Sequence, residues 1–227
     1  MSANVYIDGF NLYYCAVKGT SFKWLNLLIM TKILFPGKTI KIIKYFSAKV
    51  KAFPHDLDAL NRQDTYWRAL RTIPNLEIIR GSFVAWPKLL PQFPYAYIDS
   101  NQPPTKPPQM VQVERPEEKG SDVNLAAYLI YDVCTGNADE SIVISNDSDL
   151  VQAIELVTRK LQKLVTIVNP NRTSMRHKDP QHCSMQRELR RVATGHIDSI
   201  NDSVLARSQF PQTLTDAQGS FSKPIKW

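Results

Sequence analysis

The chain has 227 residues, of which 43% are hydrophobic, 10% aromatic and 22% charged. This excludes a peptide-scale disulfide scaffold and wholesale disorder, and suits one domain carrying a long insertion or tail. Lys and Arg total 28 against 21 Asp and Glu, a formal net charge of +7, which suits a polyanionic partner without separating nucleic acid from an anionic surface.

Asn4 to Ile7 is a short apolar stretch closed by Asp8-Gly9, the pattern of a buried strand running into a turn. From Asn11 to Phe35 the apolar positions recur at helical spacing, with a break at Gly19-Thr20-Ser21 and a stop at Pro36-Gly37, so two helical pieces are expected. Thr39 to Ser47 is β-branched and aromatic and predicts a second strand. Asp56 to Ile73 predicts a helix ending before Pro74, and Leu76 to Val84 a third strand. Between Trp86 and Pro116 lie eight of the 15 prolines; with no N–H and a fixed φ, they predict an arm or long loop, into which Met110 to Glu114 brings a weak strand pattern.

Lys119 to Cys134 predicts a helix, Ser141 to Ser145 a strand, Asp149 to Leu161 a helix and Leu164 to Val168 a strand. A short basic helix follows over Gln186 to Ala193, and the remainder is polar and poorly periodic. The expected organisation is a domain over residues 1–195 with a Pro-rich arm at 86–116, and a C-terminal tail, 196–227, that packs on the domain or extends from it. Strands alternating with helices predict an α/β fold with a central, mostly parallel sheet covered on both faces. Functional groups in such sheets gather beyond the carboxyl ends of the strands, where strand order reverses.

Acidic residues occupy those positions. Asp8 follows the first strand, Asp147 and Asp149 follow the strand at 141–145, and Asp122 opens the intervening helix. Taken singly, Asp8, Asp122 and Asp149 are each explained as helix caps. The joint pattern is more informative, because capping does not require acids at the ends of two particular strands. If those strands are neighbours, four carboxylates meet at one rim and raise one another's pKa unless a cation lies between them. Mg²⁺ or Mn²⁺ is the counter-charge suited to oxygen ligands, and phosphodiester hydrolysis the reaction suited to the site.

Three segments, VYIDGFNLYY from residue 5, EKGSDVNLA from 118 and ISNDSDL from 144, resemble in order the motifs of the NYN domain group of PIN-like nucleases, of the bacterial DUF88 or LabA-like type. The segment RELRRVATGHI from 187 resembles the closing helix of that group. The resemblance implies a PIN-like three-layer α/β/α sandwich and metal-dependent endonucleolytic cleavage of RNA. It implies a Mg²⁺ or Mn²⁺ pocket formed by Asp8, Asp122, Asp147 and Asp149. Asn11 matches the polar position after the first acid, and Ser145 with Asn146 the small polar pair before the last two. The length of the Pro-rich arm departs from the pattern.

Substrate contacts are expected from Asn11, Lys119, Ser145 and Asn146, and from Arg172 and Arg176 within a basic half that also contains Arg159, Lys160, Lys163, Arg187, Arg190 and Arg191. Such a face tracks a phosphate backbone, or is simply a solvated face answering helix dipoles. Tyr13, Tyr14, Trp86, Phe93, Tyr95 and Tyr97 are candidates for base stacking, and the arm for a homodimer contact. Cys15, Cys134 and Cys183 form no CxxC pair and fit a reducing compartment, so a cytoplasmic protein is expected. His177, His182 and Cys183 lie close together, without a second pair to complete a zinc site. The most apolar window, Trp24 to Phe35, is broken by Asn26, Thr31 and Lys32, so no membrane span is expected. Two rival functions stand beside the ribonuclease: a non-catalytic module binding nucleic acid or a protein partner, and a small-molecule enzyme of hydroxylase type. No GxGxxG after a strand and no His-rich iron triad supports the last.

Overall fold

In a computed structural model, which describes residues 1–52, 56–92, 110–136 and 138–227, six strands form a central sheet in the order β3-β2-β1-β6-β7-β8. They are β1 (Ser2–Asp8), β2 (Thr39–Ser47), β3 (Leu76–Arg80), β6 (Glu140–Ile144), β7 (Leu164–Val168) and β8 (Gly195–Ile197). The two strands omitted from that list, β4 (Ser82–Pro91) and β5 (Met110–Lys119), form a separate antiparallel ribbon. All five pairings within the sheet are parallel. Both faces are covered, which gives a three-layer α/β/α sandwich. The chain builds outward from β1 through β2 to β3, then returns to the other side of β1 with β6. Strand order therefore reverses at the β1–β6 boundary.

The two-residue alternation of a strand sorts side chains between the layers. Val5 and Ile7 of β1, Ile43 and Tyr45 of β2, and Ile142 and Ile144 of β6 face one core. Covering this face are α1 (Gly9–Leu12) with its π-helical continuation Tyr13–Val17, α2 (Leu27–Leu34) and α3 (Ala59–Leu70). Tyr6, Phe46 and Val143 face the opposite core. There they meet α4 (Ser121–Cys134), α5 (Val151–Glu155) with its π-helical continuation Leu156–Lys160, and α8 (Arg187–Val192). The intervening short helices are α6 (Thr173–Lys178) and α7 (Pro180–Cys183). Every residue of β6 is buried, as expected of a strand covered on both faces. A charged group is also enclosed here: Lys44 pairs with Asp132, which accepts a 2.9 Å hydrogen bond from the Tyr6 hydroxyl.

Three regions differ from the sequence expectation. The run expected as one strand from Leu76 to Val84 divides at Gly81 into β3 and β4. Met110 to Lys119 is paired throughout with Ser82 to Pro91, so the flanks of the Pro-rich arm are a two-stranded ribbon. Pairing to a partner strand supplies order that the proline-rich composition hides. The C-terminal stretch packs on the domain, one of the two placements expected, but with order its polar composition does not show: β8, across the expected boundary at 195, is the sixth strand of the sheet, followed by α9 (Asp202–Arg207) and a hairpin of β9 (Thr213–Asp216) and β10 (Gly219–Ser222). Trp24 anchors that hairpin, donating its indole N–H to the Pro211 carbonyl at 2.8 Å and packing on Phe210, Phe221 and Trp227. No helix among the described residues is long and apolar enough to cross a membrane.

Candidate functional site

Asp8 ends β1 on the face of Tyr6, by the same alternation that turns Val5 and Ile7 the other way. Ile7 is paired with Ile144, so the next residue pair along the two strands is Asp8 and Ser145. The Ser145 hydroxyl donates to Asp8 Oδ2 at 2.9 Å, and the Asn11 backbone N–H donates to Asp8 Oδ1 at 2.9 Å. Asp8 is therefore both the cap of α1 and a buried carboxylate tied to the neighbouring strand. Gly9 is required beside it, because a Cβ there would lie 2.6 Å from both the Phe46 carbonyl oxygen and the Tyr45 ring.

The turn after β6 presents the next two acids. The Asp147 backbone N–H donates to Ser145 Oγ at 3.1 Å, and Asp147 Oδ1 accepts from the Asp149 backbone N–H at 2.9 Å. This capping turn opens a short 3₁₀ segment, Ser148–Leu150. It leaves Asp149 exposed and Asp147 half-buried. Asp122 arrives from the first turn of α4, which Gly120 starts in the left-handed region at φ 95°.

Glu118 is a fifth acid that the sequence reading did not assign. It accepts the Ser121 backbone N–H at 3.0 Å, and its Oε1 lies where a Cβ on Gly81 would come within 2.5 Å. The available signal was its position three residues before Ser121, within the EKGSD segment, but the spacing alone reads as capping.

These acids act on one another electrostatically. Burial pushes Asp8 up to about 6, against the lowering effect of the Asn11 and Ser145 hydrogen bonds and with smaller contributions from the charges of Asp147 and Glu118. Asp122 is pushed up to about 7, first by burial and then by the charges of Asp8, Asp147, Glu118 and Asp149. Carboxylate oxygens of this kind suit a hard divalent cation. Among the described residues, no three His, Cys, Asp or Glu side chains stand close enough together to form a ready-made ligand set.

The other residues expected at the site occupy different positions in the network. Asn11 Oδ1 accepts the Asn146 backbone N–H at 3.1 Å, and the Asn146 side chain bonds the Ser184 carbonyl and the Gln186 N–H, each at 2.9 Å. Both amides thus fasten the two acidic turns to each other and to the chain before α8. Arg172 pairs with Asp202 at 2.9 Å and Arg176 with Asp198 at 3.7 Å, so both are turned toward the segment after β8. Lys119 is exposed at the end of β5. Phe93, Tyr95 and Tyr97 lie outside the described residues, while Trp86 is exposed on β4. His182 bonds Asp179 at 2.9 Å rather than a partner cysteine.

No family model matches this chain. The whole chain is similar to the 6-hydroxy-3-succinoylpyridine 3-monooxygenase HspA of Pseudomonas putida (strain DSM 28022 / S16), at 28% identity over 248 residues and 75% of that protein's length. Its fold is similar to the crystal structure of a protein of unknown function from Vibrio parahaemolyticus RIMD 2210633. That match has a TM-score of 0.50 and 16% identity, and covers 88% of this chain and 93% of the other.

Proposed function

We propose that the protein is a divalent-metal-dependent nuclease that hydrolyses RNA phosphodiester bonds at the β1–β6 rim. The observation that supports this reading is that acids from three separate segments, Asp8, Asp147 with Asp149, and Glu118 with Asp122, lie where strand order reverses, near enough for their charges to raise Asp122 though not gathered into a ready-made ligand set. Asp8, Asp122, Asp147 and Asp149 would hold Mg²⁺ or Mn²⁺, directly or through water. The bound cation supplies a lowered pKa for water and neutralisation of charge developing on a phosphoryl oxygen. Ser145 and Asn11 position the Asp8 carboxylate, and the Asp147 turn presents Asp149 to solvent where a strand could approach. The net charge of +7 favours a polyanionic substrate.

The test is cleavage of a labelled mixed RNA pool, with a single-stranded DNA control, in Mn²⁺ or Mg²⁺ and then in EDTA. The expected result is metal-dependent RNA cleavage that disappears in a folded Asp149→Asn protein. Binding of RNA and metal with no cutting of either polymer would move the reading to a non-catalytic binding module.

A second reading, monooxygenation of a small aromatic compound, is favoured by the similarity to HspA along the whole chain. Flavin absorbance in the purified protein, or reductant-dependent oxygen uptake with a hydroxypyridine substrate, would place it first.

A further inference from the structure

On the opposite layer from the acids, below α1 and α3, is a cavity of about 230 Å³. Rings enter its wall from several sides, among aliphatic and polar side chains: Phe10, Tyr13 and Tyr14 from the first helix and its continuation, Tyr66 and Trp67 from α3, and Trp227. Aromatic walls on several sides give a flat ring both a face to stack on and edges to meet. The volume is below that of pockets for drug-sized ligands, roughly 300 to 1,000 Å³, and so suits a compact ligand of one or two rings.

Two further observations narrow the ligand. Trp67 is 1% exposed, and its indole N–H has no acceptor among the described residues, although buried N–H groups normally have one. That N–H is itself closed off from solvent, so Trp67 offers the cavity its ring rather than a donor. The charged lining consists of Lys23, Lys51 and Arg62 against Asp56. Arg62 is held by Asp56 and Asp58, whereas Lys23 makes no ion pair among the described residues. The cation offered to a ligand is Lys23.

We propose that this cavity is a binding site for a single planar aromatic ring carrying an anionic group. It is distinct from the acidic rim, and the proposal does not rest on nuclease activity. Gly9 and Phe10, which directly follow Asp8, line the cavity, and none of the five acids does. The ring anion can come from a nucleotide or from a free aromatic acid, and the chemistry of recognition is the same. Lys23 answers the anion, and Tyr14 and Tyr13 bear on the ring.

The experiment titrates the full chain, in EDTA to remove any contribution from metal at the acidic rim. The probes are uridine 5′-monophosphate and benzoate, with uridine and benzamide as uncharged counterparts, followed by tryptophan fluorescence and calorimetry. At least one anionic ring is expected to bind saturably, about tenfold or more tighter than its uncharged counterpart. Lys23→Gln should remove that preference while leaving the uncharged ring unaffected. Tyr14→Ala, at a 60% exposed position where folding is not at stake, should weaken both.

Saturation by the nucleotide alone identifies a nucleotide source, and saturation by benzoate alone a free acid. The proposal is overturned if neither anion saturates, if the uncharged rings bind equally well, or if Lys23→Gln and Tyr14→Ala both leave affinity unchanged. Because every titration is run without metal, failure here leaves the cleavage assay untouched, and failure of that assay leaves this site untouched.

Discussion

Asp8 and Asp122 hold protons more tightly in the fold than an isolated aspartate does, since burial and neighbouring acids push them to about 6 and about 7 from 3.8. The native state therefore binds more protons than the unfolded chain between pH 4 and 7, and metal-free stability falls as pH rises through that window. For the buried Asp8 the shift corresponds to about 3 kcal/mol. Thermal melts from pH 5 to 8 should show this fall, and Mn²⁺ should restore stability at pH 8 by binding the folded form alone. Asp122→Asn should flatten the pH dependence and reduce the metal-induced rise. An equal response in wild type and variant would count against a shared acidic site. The buried Lys44–Asp132–Tyr6 network gives a contrasting case. Asp132→Ala strands a buried ammonium and a phenol and should cost about 3 to 5 kcal/mol in urea unfolding, whereas exposed Asp149→Asn should change stability by less than about 0.5 kcal/mol.

At the scale of elements, the turns that carry the acids are specified by backbone needs as much as by chemistry. Gly120, at φ 95° between β5 and α4, aims Asp122. Gly120→Ala should destabilise by about 1 kcal/mol and, under the nuclease reading, lower activity further than stability explains, as separate measurements of melting and cleavage rate would show. The same elements show how legible the chain was. Strands β1, β6 and β7 were readable because short apolar runs ended by turn residues have few alternatives. The ribbon of β4 and β5 was legible only as a strand run reaching Val84 and a weak strand pattern over Met110 to Glu114, since its full order comes from pairing across a long separation. Asn11 and Asn146 were legible as site residues by position, yet their amides are spent on linking two turns, a role that depends on a neighbour 135 residues away in sequence.

For the whole molecule, the C-terminal stretch is structural. Trp227 packs on Trp24 and Tyr66, and Arg68 holds Asp216 through paired bonds of 2.7 Å. Removing residues 210–227 should uncover this aromatic cluster, lower the urea midpoint and make the domain sensitive to limited proteolysis. A truncated chain as resistant as the full one would show the hairpin to be dispensable. The truncation also removes one wall of the aromatic cavity, so ring binding should be lost with it.

The sequence by itself determined the order of the elements from β1 to β3 and from α4 to β7 and the placing of acids at the ends of strands, because periodicity and turn chemistry are local properties. Only the tertiary structure decided that β6 lies beside β1, which opposes Asp8 to Ser145 and brings the charges of Asp147 and Asp149 to bear on Asp122, and that α1, α3 and Trp227 enclose an aromatic-lined cavity on the other layer. Strand order is settled by the summed packing of both faces of the sheet. No single segment carries that information.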